Sequence, residues 1–137
     1  PSVRRGDRCL VFGPRWALDF TQLPRELILF GDETSLGTAA AARNVECIFE
    51  VDDVEGARAA LEATGFRGDA MLLKRADDGS HLDVVRERFA KNPTAHGVFT
   101  GNAASIKYLY GALRKDGVSS KRLKNKAYWA AGKRGLE

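Results

Sequence analysis

Histidine and cysteine are scarce in this chain, two of each among 137 residues, and neither is arranged for chemistry. Cys9 and Cys47 lie in apolar, strand-like runs with no CxxC and no Cys/His cluster. That argues against a metal site or a disulfide framework and for two buried free thiols in a reducing compartment, the cytoplasm. His81 and His96 have no partner at metal or triad spacing and read as surface or strand-end residues. A GxSxG elbow, an HExxH pair and paired catalytic carboxylates are all missing. No apolar run approaches the roughly 20 residues of a membrane helix. No apolar stretch of the signal-peptide type follows Pro1-Ser2-Val3-Arg4-Arg5. The chain opens without Met and enters a strand pattern almost at once, as a piece of a longer polypeptide would. A sequence this poor in chemistry of its own fits a module whose chemistry belongs to a cofactor.

What is present begins with charge. The formal net charge is +4, unevenly distributed. Residues 105–137 hold nine Lys/Arg against two acids, whereas residues 1–104 hold 13 against 16. A basic C-terminal third (Lys121, Arg122, Lys124, Lys126, Lys133, Arg134) attracts anions: nucleotide phosphate, nucleic acid or an anionic substrate.

The apolar pattern alternates between strand and helix. Residues 8–12 form a short strand ending at Gly13-Pro14, and residues 15–26 read as a connection. Leu27–Phe30 is a continuous apolar run, as a buried parallel strand requires. Thr34 or Ser35 can cap a short helix ending near Asn44. Glu46–Val51 is the next strand, with Asp53 able to cap a helix running to about Thr64 and stopped by Gly65. Ala70–Lys74 is a strand, Leu82–Phe89 an amphipathic helix, His96–Thr100 a strand and Ala103–Lys115 a helix whose buried face carries Ile106, Leu109, Tyr110 and Leu113. A last strand falls near Arg122–Trp129. The order predicts an α/β fold: an open, mostly parallel sheet of about five strands with helices on both faces.

Ligands of such sheets bind beyond the carboxyl ends of the strands. Four turns qualify. Gly31-Asp32-Glu33-Thr34-Ser35 offers a glycine for close approach, with hydroxyls and amides at a helix start. It matches neither GxGxxG nor GxxxxGK[ST]. An ordinary capped turn is the alternative, with Asp32 and Glu33 facing solvent, capping the helix or contacting a ribose. Asp52-Asp53 could accept from a ribose hydroxyl or simply cap. Lys74-Arg75 could bind an adenosine 2′-phosphate through bidentate Arg geometry or be a solvated strand end. Thr100-Gly101-Asn102-Ala103-Ala104 repeats the glycine-then-helix arrangement, as a second dinucleotide contact or an ordinary turn.

In the order Gly-Asp-Glu-Thr-Ser-Leu (31–36), Gly101 before Ala-Ser-Ile-Lys-Tyr-Leu-Tyr (104–110), and Tyr-Trp-Ala-Ala-Gly-Lys-Arg (128–134), the chain resembles the nicotinamide-binding half of the siderophore-interacting proteins. These are flavin-dependent ferric-siderophore reductases of the ferredoxin–NADP reductase superfamily. The resemblance spans about residues 7–134. It implies residues 1–26 as the end of a flavin-domain strand and its connection, and residues 27–137 as the NAD(P)H-binding domain. It implies that NADPH or NADH binds and presents its nicotinamide to FAD, which a barrel domain mostly holds. The final electron acceptor would be a ferric siderophore or another anionic chelate. By position, Gly31, Asp32, Glu33, Thr34 and Ser35 match the nicotinamide and pyrophosphate turn, Lys74 and Arg75 the basic third-strand end, and Gly101 the fourth-turn glycine. Tyr128, Trp129, Lys133 and Arg134 match a tail near the flavin and chelate. Gly37 stands where the family usually has Pro, and Asn102, also a cofactor-binding candidate, replaces a frequent acid.

Two other classes fit less of the sequence. A non-enzymatic nucleic-acid module would use Tyr108, Tyr110, Tyr128 and Trp129 interleaved with Lys and Arg, although no RNP, helix-turn-helix or zinc pattern is present. A receiver-like signalling domain would use Asp32 and Asp52-Asp53 as an acidic pocket. No membrane partner is expected.

Overall fold

A computed structural model of the chain describes Pro24, residues 26–41 and residues 45–133. The strand expected at 8–12, Cys9, the Gly13-Pro14 step, the helix end at Asn44 and Arg134 lie outside the described residues. Five strands, β1 (Leu27–Gly31), β2 (Glu46–Val51), β3 (Ala70–Lys74), β4 (His96–Asn102) and β5 (Leu123–Trp129), form one parallel sheet in the order β3-β2-β1-β4-β5. The helices are α1 (Leu36–Ala41), α2 (Val54–Ala63), α3 (Asp83–Lys91) and α4 (Ala103–Lys115), with short 3-10 turns at Glu33–Ser35, Ser80–Leu82 and Ser120–Arg122. The α/β architecture expected from the apolar pattern is the one observed.

Burial follows strand position. The central β1 is buried throughout and β2 is buried after Glu46, whereas the edge strand β5 is largely exposed beyond Leu123. That is why Leu27–Phe30 reads as an uninterrupted apolar run. Alternate side chains feed two cores. Ile28, Phe30, Ile48 and Phe99 face α3 and α4, meeting Val85, Phe89, Ile106, Leu109 and Leu113. Leu27, Leu29, Phe49 and Val98 face α1 and α2, meeting Leu36, Ala39, Ala57 and Leu61. Phe99 anchors the first core, edge-on to Phe30 and Phe89 with centroids 6.3 and 6.2 Å away. Gly97 is required beside them, since a Cβ there would stand 2.8 Å from the Phe89 ring.

This partition has a topological cause. Parallel crossovers are right-handed. The steps β1 to β2 to β3 run outward in one direction and lay α1 and α2 on one face. The chain then crosses back to place β4 against the other side of β1, which puts α3 and α4 on the opposite face. The direction reverses between β1 and β4, so the turns leaving those two strands stand side by side at the carboxyl edge.

Among the described residues, no helix is long and apolar enough to cross a membrane.

Candidate functional site

The switch point is built from the ends of β1 and β4. Gly31 is hemmed by Ser35 and Thr100; a Cβ would lie 2.4 Å from the Ser35 Cβ and 2.9 Å from the Thr100 hydroxyl. Thr100 Oγ1 is hydrogen-bonded to Ser35 Oγ (2.8 Å) and donates to the Phe30 carbonyl (3.2 Å), clamping the two turns together. Both hydroxyls are fully buried and no base adjoins them, so the pair is a structural tie rather than a nucleophile.

Asp32 is the centre of this region and is completely buried. Its Oδ1 accepts from the Thr34 amide (2.9 Å) and the Thr34 hydroxyl (2.5 Å), and its Oδ2 accepts from the Trp129 indole (2.7 Å). Asp32, not Thr34 or Ser35, therefore caps the first turn. The Thr34 amide expected to meet a phosphate is already satisfied by the chain's own carboxylate. Gly101 has φ +93°, and a Cβ there would stand 2.5 Å from the Asp32 carboxyl group, so only glycine fits. Asn102 caps α4 by accepting from the Ala104 amide at 2.9 Å.

Trp129 reaches Asp32 because β5 carries a bulge. Gly101 pairs with Ala127 and Asn102 with Trp129, leaving Tyr128 as the extra residue. The bulge re-aims the end of the strand across the β1 turn. Tyr128 Oη then lies 3.2 Å from Thr38 Oγ1 on α1. Both aromatic side chains keep 37 % exposure at this edge. Lys133 follows, exposed, at the end of the described residues.

A second group lies at the ends of β2 and β3. Arg75 donates from Nη2 to Glu33 Oε2 (2.9 Å), its Nη1 meets Asp52 Oδ2 (2.6 Å), and its Nε is 4.0 Å from Glu50 Oε2. Glu33 Oε1 accepts from the Asp52 amide at 2.6 Å, which links the first turn to the second. Lys74 Nζ donates to the Asp52 carbonyl. Burial pushes the Glu33 carboxyl up, but the Asp52 amide and Arg75 outweigh it and hold the group below its ordinary value. Arg75 is thus not an open cationic site, since acids from three other positions surround it, whereas Lys74 is exposed as a solvated strand end would be.

Beneath this group, Glu50 is buried in β2 with His81 Nε2 2.8 Å from its Oε2. The Ala76 amide donates to His81 Nδ1 at 3.1 Å, so the ring proton sits on Nε2 and is given to Glu50. His81 is therefore not a solvent-facing histidine without a partner, as its spacing suggested. Glu50 was missed by motif reasoning, and Thr100 was placed in the fourth turn without a role. The signal for Glu50 was in view: an acid within the apolar strand Glu46–Val51 cannot be buried without a donor. Asp53 does what its position predicts, capping α2 through the Gly56 amide at 3.1 Å.

The arrangement offers hydroxyls, carboxylates, a glycine-lined edge and two half-exposed aromatics. It has no nucleophile–base pair, and among the described residues no group of three or more His, Cys, Asp or Glu is placed to hold a metal.

No protein-family model, no curated protein and no solved structure matches this chain.

Proposed function

We propose that this chain is the NAD(P)H-binding half of a flavin-dependent oxidoreductase, resembling the siderophore-interacting ferric-chelate reductases and working in the cytoplasm. The observation that supports it best is the meeting of β1 and β4 at the switch point, each strand end carrying a glycine with no room for a side chain. Dinucleotides lie in that crevice in open parallel sheets. The residues fit one unequally along its length. The exposed Asp52 carboxylate at the end of β2 suits a ribose diol, and the start of the thirteen-residue α4 suits the diphosphate. Both turns carry a side-chain cap, Asp32 on the Thr34 amide and Asn102 on the Ala104 amide, and the first suits neither phosphate because its cap is a carboxylate, a like charge.

In this reading Tyr128 and Trp129 face the flavin held by a barrel domain on the same or a separate chain, and Lys133 and Arg134 meet the anionic ferric chelate. Bound nicotinamide would supply a hydride to the flavin, and the reduced flavin would pass its two electrons singly to two ferric ions. The chain's own part is geometric: Trp129 bonded to Asp32 fixes the tail, and the Thr100–Ser35 tie fixes the spacing of the two turns.

The alternatives draw less support. Receiver domains use the strand order 2-1-3-4-5, whereas here β1 pairs directly with β2 and β4. Tyr110, which a nucleic-acid stacking surface would expose, packs against the core. The test is a titration of the folded chain with NADH and with NADPH, followed by nicotinamide fluorescence. Saturable binding, without NAD(P)H oxidation until a flavin domain is supplied, is the expected result. A cooperatively folded sample that binds neither dinucleotide overturns the reading.

A further inference from the structure

We infer that the Glu33–Arg75–Asp52 group makes this site selective for the dinucleotide with a free adenosine 2′-hydroxyl, NADH, over its 2′-phosphorylated form. The inference rests on the dinucleotide reading and deepens it. Asp52 follows β2 twenty-one residues after Gly31. In dinucleotide-binding folds with a GxGxxG first turn, an acid about 20 residues on accepts from the adenosine ribose; this chain lacks that fingerprint but places Asp52 at the corresponding strand end. Its carboxylate is 73 % exposed, available to a diol.

A 2′-phosphate needs the opposite: an unengaged guanidinium or ammonium. The guanidinium is engaged: Arg75 Nη1 is on Asp52 and Nη2 on Glu33, while the exposed Lys74 ammonium donates to the Asp52 carbonyl and keeps its charge. Behind them, Glu50 adds a third carboxylate with only 1 % side-chain exposure, and its Oε1 has no hydrogen-bond partner. Three acids therefore face two cations. An incoming phosphate dianion would have to displace Asp52 or Glu33 from Arg75 and then lie against the released carboxylate, a like-charge contact. A ribose hydroxyl needs neither displacement, since Asp52 can accept from it while keeping Arg75.

The experiment compares the dissociation constants of NADH and NADPH for the full chain and for Asp52→Asn, Glu33→Gln and the double variant, each checked for cooperative unfolding. The wild-type chain is expected to bind NADH more tightly by at least about tenfold, and the double variant, with Arg75 released, to lose or invert that preference. NADH affinity should also weaken in Asp52→Asn alone. Equal or tighter binding of NADPH by the wild type overturns this inference and leaves the dinucleotide site standing. An unchanged ratio in the double variant overturns it as well. Absence of binding by either dinucleotide overturns both readings.

Discussion

A buried carboxylate persists only where donors surround it, and Asp32 has three: one amide, one hydroxyl and one indole. The indole comes from Trp129, 97 residues away, and it is the donor that a single substitution can remove. Trp129→Phe keeps the ring's apolar contact and deletes the N–H. The buried Oδ2 then loses its partner, at a cost of about 1–3 kcal/mol. Urea unfolding followed by circular dichroism should read that loss, and an unchanged midpoint would mean that water replaces the indole at this site. Asp32 also explains why an acid can follow Gly31 in a turn that otherwise looks built for phosphate. The carboxylate takes the anion's place at the cap, and Gly101 is glycine because that carboxylate occupies the space of its Cβ.

At the scale of elements, the first three strand ends are joined by Glu33. It accepts from the Asp52 amide after β2 and from Arg75 after β3. Burial raises its carboxyl, the amide and guanidinium lower it further, and the net shift is downward from 4.5. A group with a lowered folded-state value contributes stability that is present above its unfolded value and is lost as pH falls through the folded one. Glu33→Gln should therefore lower the melting temperature in the neutral region, where the contribution is fully present, and converge with the wild type as pH falls below about 4.5, flattening the acid limb. Identical acid limbs in variant and wild type would show that the tie adds nothing beyond solvent contact.

Elements were legible where the cause is local. The runs at Leu27–Phe30 and Glu46–Val51 name their own strands. Asp53 with Gly56 names its cap, because the Asp53 carboxylate occupies the space a Cβ at residue 56 would need. The first turn was legible as a turn but not in its chemistry. Thr34 and Ser35 are good caps by type and Asp32 was one of several open readings; Asp32 takes the role, with β5 delivering a third donor to it. The Glu50–His81 pair was invisible for the same reason: the partners are 31 residues apart and meet only when β2 lies beside β3.

The described residues form one sheet with a core on each face, and β1, β2 and β4 contribute to both. Opening either core exposes strands that the other needs, so unfolding should be cooperative. Cys47 can report this. It is buried in β2, and desolvation, with Glu46 adding to it, pushes its thiol up to about 11. The reactive thiolate is therefore withheld until the sheet opens. In a Cys9→Ser background, alkylation of Cys47 at neutral pH should proceed at the rate of global opening and accelerate in parallel with loss of helical signal in urea. Fast labelling in the absence of denaturant would show instead that β2 opens on its own.

The amino-acid sequence by itself determined a parallel α/β sheet, its caps and its glycine-ended turns, because strand and helix periodicity and turn chemistry act over a few neighbouring residues. Only the tertiary structure decided which strand ends become neighbours. That order set Trp129 on Asp32 and enclosed Arg75 among Glu33, Glu50 and Asp52. Charges keep their identity along a chain, but what they can bind depends on the counter-charges brought beside them from distant residues.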